Sequence, residues 1–340
     1  MMQENALDEM DCKIIDALQI HPRASWSELA PILETSESTL SRRWDRLSES
    51  GIAYVTGIPG PALHPSIALV EIRCAPRDIL DLGRRLSTER AVASIDLTAG
   101  GREMLVTVGF RSLSDLGDWL TDGFRDYPEV TASHTHVLSG ILVDAHLWRM
   151  RALTSRQADL IRGLVEVPEG PSSFADVAED SGLIALLARL NHDGRMPLSK
   201  LSEACGIPVR RLRRLLPRLE ADGRLVLRTD VARPYTPWPV LAWYFLRVPA
   251  TQLARMQGMF AALDEVRMAA AALGPANVIL SVWLRDLGDV QRFEITLGMR
   301  IPGVIVEDRS VVFRSLKHLG RLLWPDGRRG ATVEMVPPEA

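Results

Sequence analysis

The sequence predicts an α+β protein made by tandem duplication, in which each copy holds a winged helix-turn-helix followed by a ferredoxin-like βαββαβ domain. Two ungapped self-matches indicate the duplication. Residues 21–54 match 193–226 at an offset of 172, and residues 100–116 match 274–290 at an offset of 174. Because the two offsets are nearly equal, they indicate that one unit of about 170 residues was copied as a whole.

The self-matches align the same residue types in one register. The first pairs Arg23 with Arg195, Leu29 with Leu201, Leu40 with Leu212, Arg42 with Arg214, Arg46 with Arg218 and Gly51 with Gly223. The second pairs Gly100 with Gly274, Arg111 with Arg285 and Asp115 with Asp289. The function of the protein therefore depends on what one copy does and on what is gained by joining two copies.

The composition limits the class of protein. A chain of 340 residues with 46% apolar residues can bury a sizeable core, and a net charge of −3 excludes a molecule that is basic all over. A basic site for a polyanion therefore has to be local. The three cysteines are scattered, which disfavours a disulfide framework or a zinc cluster, and the chain has no 18-residue apolar run and no secretory signal. We expect a cytoplasmic protein with no metal and no cofactor.

Changes of pattern along the chain predict six segments. The stretch VPEGPSS is typical of a linker, which would let the two helix-turn-helix domains be positioned semi-independently. The predicted boundaries are 1–60 and 176–236 for the two helix-turn-helix domains, 64–148 and 238–325 for the two βαββαβ domains, 149–175 for the linker, and 326–340 for a loosely ordered tail.

The first domain has the spacing of a helix-turn-helix. Apolar residues at helical intervals predict a helix over 8–20, which His21-Pro22 ends. Ser25 and Glu28 have the spacing of a capping box and predict a second helix over 26–33. A third helix is predicted over 36–49, with its apolar residues on the inner side.

The outer face of each third helix is the candidate DNA-binding surface. A helix fits the major groove, where arginine and hydroxyl side chains contact base edges and phosphates. The alternative is a solvated helix face, which we disfavour because five arginines within nine residues repel one another unless an anion is bound. The candidate residues are Ser38, Thr39, Arg42, Arg43 and Arg46, with few acids beside them, and Arg210, Arg211, Arg213, Arg214 and Arg218.

Each third helix is followed by a short apolar stretch. The segment from Ile52 to Thr56 and its counterpart over 224–229 are predicted to form strands that lead into a wing. Arg228 and Arg233 would lie where a wing contacts the DNA backbone.

The second domain of each copy alternates β-rich and helical stretches in the order βαββαβ, beginning at Ser66 in the first copy and Val240 in the second. Near this sheet the sequence has no phosphate-binding loop, no Ser-His-acid order and no paired acids. We therefore do not expect an enzyme.

The pattern L-D-x-x-D-x-x-I-I-x-x-L over 7–18, followed by a βαββαβ domain with a glycine turn between its second and third strands, closely resembles the Lrp/AsnC (feast/famine) transcription regulators. The resemblance covers 6–146 and, more weakly, 180–322, as in the fused double-length form. It implies a sequence-specific DNA-binding regulator that responds to an amino acid or related metabolite. It also implies that the βαββαβ domain, of the RAM type, pairs with another copy through its sheet and makes the protein a homo-oligomer.

The resemblance also places the effector at the glycine turn. The corresponding residues are Gly100, Gly101 and Glu103 in the first copy and Gly274 and Asn277 in the second. The family commonly has an acidic residue where Glu103 and Asn277 fall, and Asn277 cannot supply a charge for an amino group. A plain β-turn without a ligand is the alternative.

Three other functions are compatible with parts of the sequence. His134 and His136 are two residues apart on a strand and could share a metal. Asp308 and Ser310 stand at those places in the second copy, so we expect a partly exposed strand face instead.

Siroheme decarboxylases resemble the same family and also occur as two-unit fusions. They would need histidines and arginines lining a pocket in the βαββαβ domain, whereas here the arginines concentrate on the third helices. A sensing module that acts through protein partners is the third possibility.

Overall fold

The computed structural model describes residues 7–63, 66–165 and 181–335. Helices within these ranges are too short or too polar to cross a membrane. The chain divides into two compact units, and each unit collects like segments from both halves of the sequence. The first unit comprises Met1–Pro65, Arg149–Ala232 and Arg328–Ala340, and the second comprises Ser66–Trp148 and Arg233–Gly327.

The order αααββαββαβ occurs twice along the described chain, with one further helix between the two runs and two short strands after the second. The helices are α1 Glu9–Ile20, α2 Trp26–Ile32, α3 Glu37–Glu49, α4 Ile79–Ser87, α5 Leu113–Thr121, α6 Ser155–Arg162, α7 Ser181–His192, α8 Leu198–Cys205, α9 Val209–Ala221, α10 Met256–Ala261 and α11 Asp289–Arg300. The strands are β1 Ala53–Pro59, β2 Ser66–Cys74, β3 Val92–Ala99, β4 Met104–Phe110, β5 Val130–Val143, β6 Leu225–Val231, β7 Val240–Arg247, β8 Val266–Leu273, β9 Val278–Leu284, β10 Ile305–His318, β11 Arg321–Leu323 and β12 Arg329–Thr332.

Side-chain caps fix the helices of the first helix-turn-helix. Asp8 accepts a hydrogen bond from the Asp11 amide, and Ser36 accepts one from the Thr39 amide. Ser25 and Glu28 form the predicted capping box at the start of α2. The predicted helices over 8–20, 26–33 and 36–49 are therefore confirmed to within one residue at each end.

The predicted wing is wrong. β1 pairs with β6 of the other copy in an antiparallel ladder from Ala53↔Val231 to Pro59↔Leu225, so each helix-turn-helix contributes one strand to a shared two-stranded sheet. Arg228, which we expected at a phosphate, is 6% exposed and forms an ion pair with Asp230 at 2.6 Å. Arg233 belongs to the second unit, where its guanidinium donates to the Pro239 carbonyl. Neither arginine extends a wing, because the strand is used for pairing.

The segment predicted as a linker is packed over its described part. The Asp16 carboxylate accepts hydrogen bonds from the amides of Ala152 and Leu153 at 2.7 and 3.0 Å, and α6 contacts α1 and α2. Residues 149–165 thus extend the first helix-turn-helix, and the prediction of a linker is wrong for them. The remainder of the predicted linker, 166–175, lies outside the described residues.

The tail is ordered where it is described. Arg329 donates its amide to the Gly51 carbonyl and its guanidinium to the Ser48 carbonyl, both at 2.9 Å. Gly51 has a φ of +75°, and a Cβ there would lie 2.8 Å from the Arg329 carbonyl oxygen, so only glycine fits. The expectation of a loosely ordered tail is wrong for this part, and 336–340 lie outside the described residues.

In the second unit the two βαββαβ sheets join into a closed ring. The strand order is β10-β3-β4-β2-β5-β8-β9-β7, and β7 pairs back to β10. The two copies meet at the β5–β8 ladder, which includes Val137↔Leu273, and at the β10–β3 ladder, which includes Val311↔Ala99. The prediction that the two sheets pair with each other is confirmed within one chain. Closure also leaves these eight strands without a free edge.

Each sheet keeps its own core on the face that its helices cover. In the first copy β2 and β4 pack against α4 and α5 through residues such as Val70, Leu82 and Leu116. In the second copy β7 and β9 pack against α10 and α11 through Tyr244 and Phe293 among others. The opposite faces of the two sheets therefore face each other inside the ring.

Candidate nucleic-acid interface and effector turns

The two helix-turn-helix domains hold each other through a pair of arginines. The Arg23 guanidinium donates to the carbonyls of Gly194 and Met196 at 2.5 and 2.9 Å. The Arg195 guanidinium donates to the carbonyls of Pro22 and Ala24 at 2.7 and 2.9 Å. Both arginines are partly buried. We call this the arginine clamp.

The clamp is reciprocal. Arg23 and Arg195 align in the self-match at an offset of 172, and so do their acceptors, Pro22 with Gly194 and Ala24 with Met196. Loss of hydration on burial lowers the pKa of Arg195 to about 10, so it remains charged at neutral pH. Together with the β1–β6 ladder, the clamp makes the two domains an internal pseudo-symmetric pair.

The outer face of α3 is less basic than the sequence suggested. Arg42 is exposed, but Arg43 forms ion pairs with Asp8 and Asp11 of α1 at 2.6 and 3.0 Å, and Arg46 pairs with Asp11 at 2.5 Å. Our expectation of few acids beside these arginines is therefore wrong. Sequence reasoning missed these acids because they lie more than thirty residues away along the chain.

Acids also lie on α3 itself. The helix contains three arginines and three carboxylates, so its formal charge is zero. A shallow open groove along its outer face is lined by Ser38, Ser41, Arg42, Asp45, Arg46 and Glu49. Thr39 is half-buried, and its hydroxyl contacts that of Ser36. The surface that α3 offers is consequently mixed, with hydroxyls near its first turn and alternating charges beyond.

The outer face of α9 is strongly basic. The helix contains five arginines and one carboxylate, which gives a formal charge of +4. Among the described residues, four exposed arginine side chains on it have neither an ion pair nor a hydrogen bond, and Arg218, which is half-buried, has none either. Pro217 lies within the helix, yet α9 is as long as α3. The four exposed arginines are Arg210, Arg211, Arg213 and Arg214.

The difference between the two helices has a traceable origin. At the place of Asp11 the second copy has Leu183, and at the place of Arg43 it has Leu215. These leucines are 7% and 8% exposed and belong to one apolar cluster. An ion pair in the first domain is thus replaced by an apolar contact in the second, which leaves the arginines of α9 without a neutralising acid.

The first glycine turn carries two opposite charges. The Glu103 carboxylate accepts a hydrogen bond from the Cys74 amide through Oε2 at 3.2 Å, and its Oε1 has no partner within the described chain. The Arg73 guanidinium lies next to Gly101: a Cβ atom added to this glycine would be 3.9 Å from Arg73 Nη2. Arg73 is exposed, and we find no ion pair for its side chain in the described ranges. Sequence reasoning named Gly100, Gly101 and Glu103 but missed Arg73.

The second glycine turn, at Gly274, is different. The Asn277 Oδ1 atom accepts a hydrogen bond from the Val248 amide, and its Nδ2 atom donates one to the Val248 carbonyl, both at 2.8 Å. Arg247, the counterpart of Arg73, forms an ion pair with Glu307 at 2.7 Å. The expectation that Asn277 binds an effector is therefore not supported by its geometry, because its polar atoms are already bonded.

A buried ionic network joins the two sheets inside the ring. Arg102 is 3% exposed, and its Nε lies 2.9 Å from Glu71. Its Nη1 donates to Ser310 at 2.6 Å, its Nη2 pairs with Asp308, and the guanidinium lies 4.4 Å from the centre of the Phe245 ring. Burial raises the pKa of Glu71, but the hydrogen bond from His136 and the charge of Arg102 outweigh it and hold the pKa below its usual value.

The two histidines differ in burial. His134 is exposed as expected, but His136 is 5% exposed and lies 2.7 Å from Glu71, so the prediction of an exposed face is wrong for His136. In the described parts of the chain no three His, Cys, Asp or Glu side chains come together as metal ligands. The structure does place a histidine and an arginine inside the βαββαβ unit, which the sequence argument against a decarboxylase had not foreseen.

Comparisons with known proteins identify the two domains of the first copy. Residues 7–48 match the AsnC-type helix-turn-helix domain, and residues 67–146 match the Lrp/AsnC ligand binding domain. An uncharacterized HTH-type transcriptional regulator of Pyrococcus furiosus is 25% identical over 138 residues, which is 40% of this chain and 93% of that protein. The HTH-type transcriptional regulator FL11 of Pyrococcus abyssi is 27% identical over 136 residues, 39% of this chain and 89% of that protein.

A solved structure is similar over nearly the whole chain. The crystal structure of the siroheme decarboxylase NirDL covers 92% of this chain and 93% of its own with a TM-score of 0.58, at 13% sequence identity. At that identity the similarity shows the shared fold alone. The first half of the chain carries an AsnC-type helix-turn-helix domain and an Lrp/AsnC ligand binding domain, and the protein is a DNA-binding transcription regulator.

Proposed function

We propose that the protein arose by duplication and fusion of this two-domain unit and binds double-stranded DNA through both α3 and α9, with α9 supplying most of the affinity. The exposed arginines of α9 without acid partners carry the proposal. Phosphate contacts dominate DNA affinity, and an arginine already paired with a carboxylate has to exchange that partner for a phosphate. Arg43 and Arg46 are in that situation, whereas Arg210, Arg211, Arg213 and Arg214 are not.

Changing Arg213 and Arg214 together to alanine should weaken binding to all DNA sequences. If each contacts one phosphate, the slope of log K against log salt falls in magnitude by about 1.8, and affinity at ~0.15 M salt falls roughly 30-fold. The matched double variant Arg42→Ala with Arg43→Ala in α3 should cost less. Gel shifts with genomic fragments at several salt concentrations measure both effects. Unchanged affinity and slope in the α9 variant would show that α9 does not bind DNA.

We further propose one effector site per chain, at the first glycine turn. A small zwitterion such as an amino acid would place its ammonium group on Glu103 and its carboxylate on Arg73, beside the exposed Gly100 and Gly101. The second turn lacks both anchors because Asn277 and Arg247 are bonded within the chain.

A panel of amino acids tested by calorimetry should give one site per chain for the ligand that binds. Glu103→Gln keeps the acceptor for the Cys74 amide but removes the charge, so it should abolish binding, as should Arg73→Met. Arg247→Met is the matched control in the second copy and should change nothing. Two equivalent sites, or binding that survives Glu103→Gln, would contradict the proposal.

The decarboxylase alternative is less well supported by the contacts. Arg102 is bonded to Glu71, Asp308 and Ser310, and His136 is bonded to Glu71, so these groups stabilise the joint between the sheets. Incubation with siroheme followed by absorbance spectroscopy provides the test. A tight complex with a shifted absorption band would favour the enzyme.

A further inference from the structure

We infer that one chain recognises an asymmetric DNA operator, made of two unlike half-sites in a fixed order. The inference rests on the proposed function and adds the kind of site that is bound. It follows from two features of the first unit: the way in which the two helix-turn-helix domains are joined, and the divergence of their outer faces.

Because the two helix-turn-helix domains are joined, a single chain presents two recognition helices to DNA. Seven backbone pairs from Ala53↔Val231 to Pro59↔Leu225 connect the domains, and the arginine clamp of Arg23 and Arg195 adds four hydrogen bonds to backbone carbonyls. Paired helix-turn-helix domains place their recognition helices in successive major grooves on one face of DNA, about 34 Å apart. When the two helices are identical, the operator is a palindrome.

Here the two helices are not identical at the positions that meet bases. The N-terminal residues of a recognition helix contact base edges. In this region Ser38 corresponds to Arg210, Thr39 to Arg211 and Ser41 to Arg213, while Arg42 corresponds to Arg214. Three hydroxyl groups on one helix therefore stand where the other has three guanidinium groups.

This difference changes which bases each helix can prefer. Arginine binds guanine in a bidentate manner through O6 and N7, whereas serine and threonine contact any base and discriminate little. We therefore expect guanines in the half-site bound by α9 and weaker base preference in the half-site bound by α3. The shared Arg42 and Arg214 would give the two half-sites one position in common.

The order of the half-sites follows from the covalent chain. In a dimer of two separate chains, either subunit can occupy either half-site. In this chain α3 and α9 are held by one joint, so reversing one half-site of the operator misplaces a recognition helix. Because each wrong base pair weakens binding by about tenfold, a site in which the half-site bound by α9 is reversed should bind more weakly by roughly tenfold or more.

The experiment is a selection of bound fragments from random DNA with the full chain, followed by footprinting and by light scattering of the complex. We expect two dissimilar protected half-sites with centres about one helical turn apart and one chain per site. Arg210→Ala with Arg211→Ala, at the N-terminal end of α9, should relax the preference for guanine in one half-site only. Ser38→Arg with Ser41→Arg should introduce that preference into the other half-site.

The outcomes separate the two proposals. Failure to bind any DNA would overturn the proposed function itself. Binding to a palindrome whose halves are protected equally by one chain would overturn only the asymmetric operator. Equal affinity for the operator with its α9 half-site reversed would do the same. Thermal unfolding of the serine variants, whose sites lie on the outer face of α3, would confirm that they are folded.

Discussion

Arg102→Met should lower the free energy of unfolding by about 3–5 kcal/mol, because it removes one partner of a buried ion pair and leaves the 15% exposed Glu71 side chain without this cation. Asp308 is 44% exposed and loses less. Arg102 is 3% exposed and is the only group that the described network shares between Glu71 of the first sheet and Asp308 and Ser310 of the second. Methionine fills much of the space but cannot neutralise Glu71. Chemical denaturation with circular dichroism measures the loss.

A charge-free network should recover part of that stability. In the triple variant Arg102→Met, Glu71→Gln and Asp308→Asn no buried charge is left without a partner, so it should be more stable than Arg102→Met alone. Arg111→Met is the matched control, because its ion pair with Asp115 is exposed to solvent on both sides and should contribute little to stability. An Arg102→Met protein as stable as the control variant would show that the network does not hold the sheets together.

Arg195→Met should weaken both stability and DNA binding. It removes two charge-assisted hydrogen bonds to Pro22 and Ala24 and the contact of the guanidinium with the Trp26 ring at 4.4 Å. We expect the free energy of unfolding to fall by about 3–6 kcal/mol, because two hydrogen bonds are lost and each hydrogen bond to a charged group contributes ~1.5–3 kcal/mol. Because the clamp holds the two recognition helices together, affinity for a complete operator should fall more than affinity for a half-site.

Tryptophan fluorescence during urea unfolding and gel shifts on full and half operators measure the two effects of Arg195→Met. Arg195→Lys retains a charge and should recover part of both losses. Arg162→Met removes an exposed ion pair on α6 of the same unit and should be close to the unaltered protein. Equal losses on full and half operators would mean that the clamp stabilises the domains without positioning them.

Local signals in the sequence are sufficient to predict most of the helices and strands. The alternation of apolar residues predicted β2 over Ser66–Cys74 and β4 over Met104–Phe110, and the capping box of Ser25 and Glu28 predicted the start of α2. These features depend on residues within a few positions of one another. Periodicity and capping therefore carry the information that defines them.

The errors concern partners that are distant in sequence. A strand after α3 is compatible with a wing hairpin or with pairing to β6, and nothing in its own residues distinguishes the two. Likewise, arginines on an outer helix face look free until α1 brings Asp11 beside Arg43. Arg102 lies in a turn, where an arginine is ordinarily solvated, and only closure of the ring buries it. Comparing the two copies would have helped, because Arg102 corresponds to Ala276.

Joining both DNA-binding domains in one chain changes how occupancy depends on the amount of protein. A dimer assembled from separate chains dissociates on dilution, so below its dimerisation constant the concentration of the active form falls with the square of the chain concentration. The domains joined here by the arginine clamp and the β1–β6 ladder cannot separate in that way. Operator occupancy should therefore follow the number of chains linearly even when a cell contains few copies, and partial loss of expression should lower regulation in proportion.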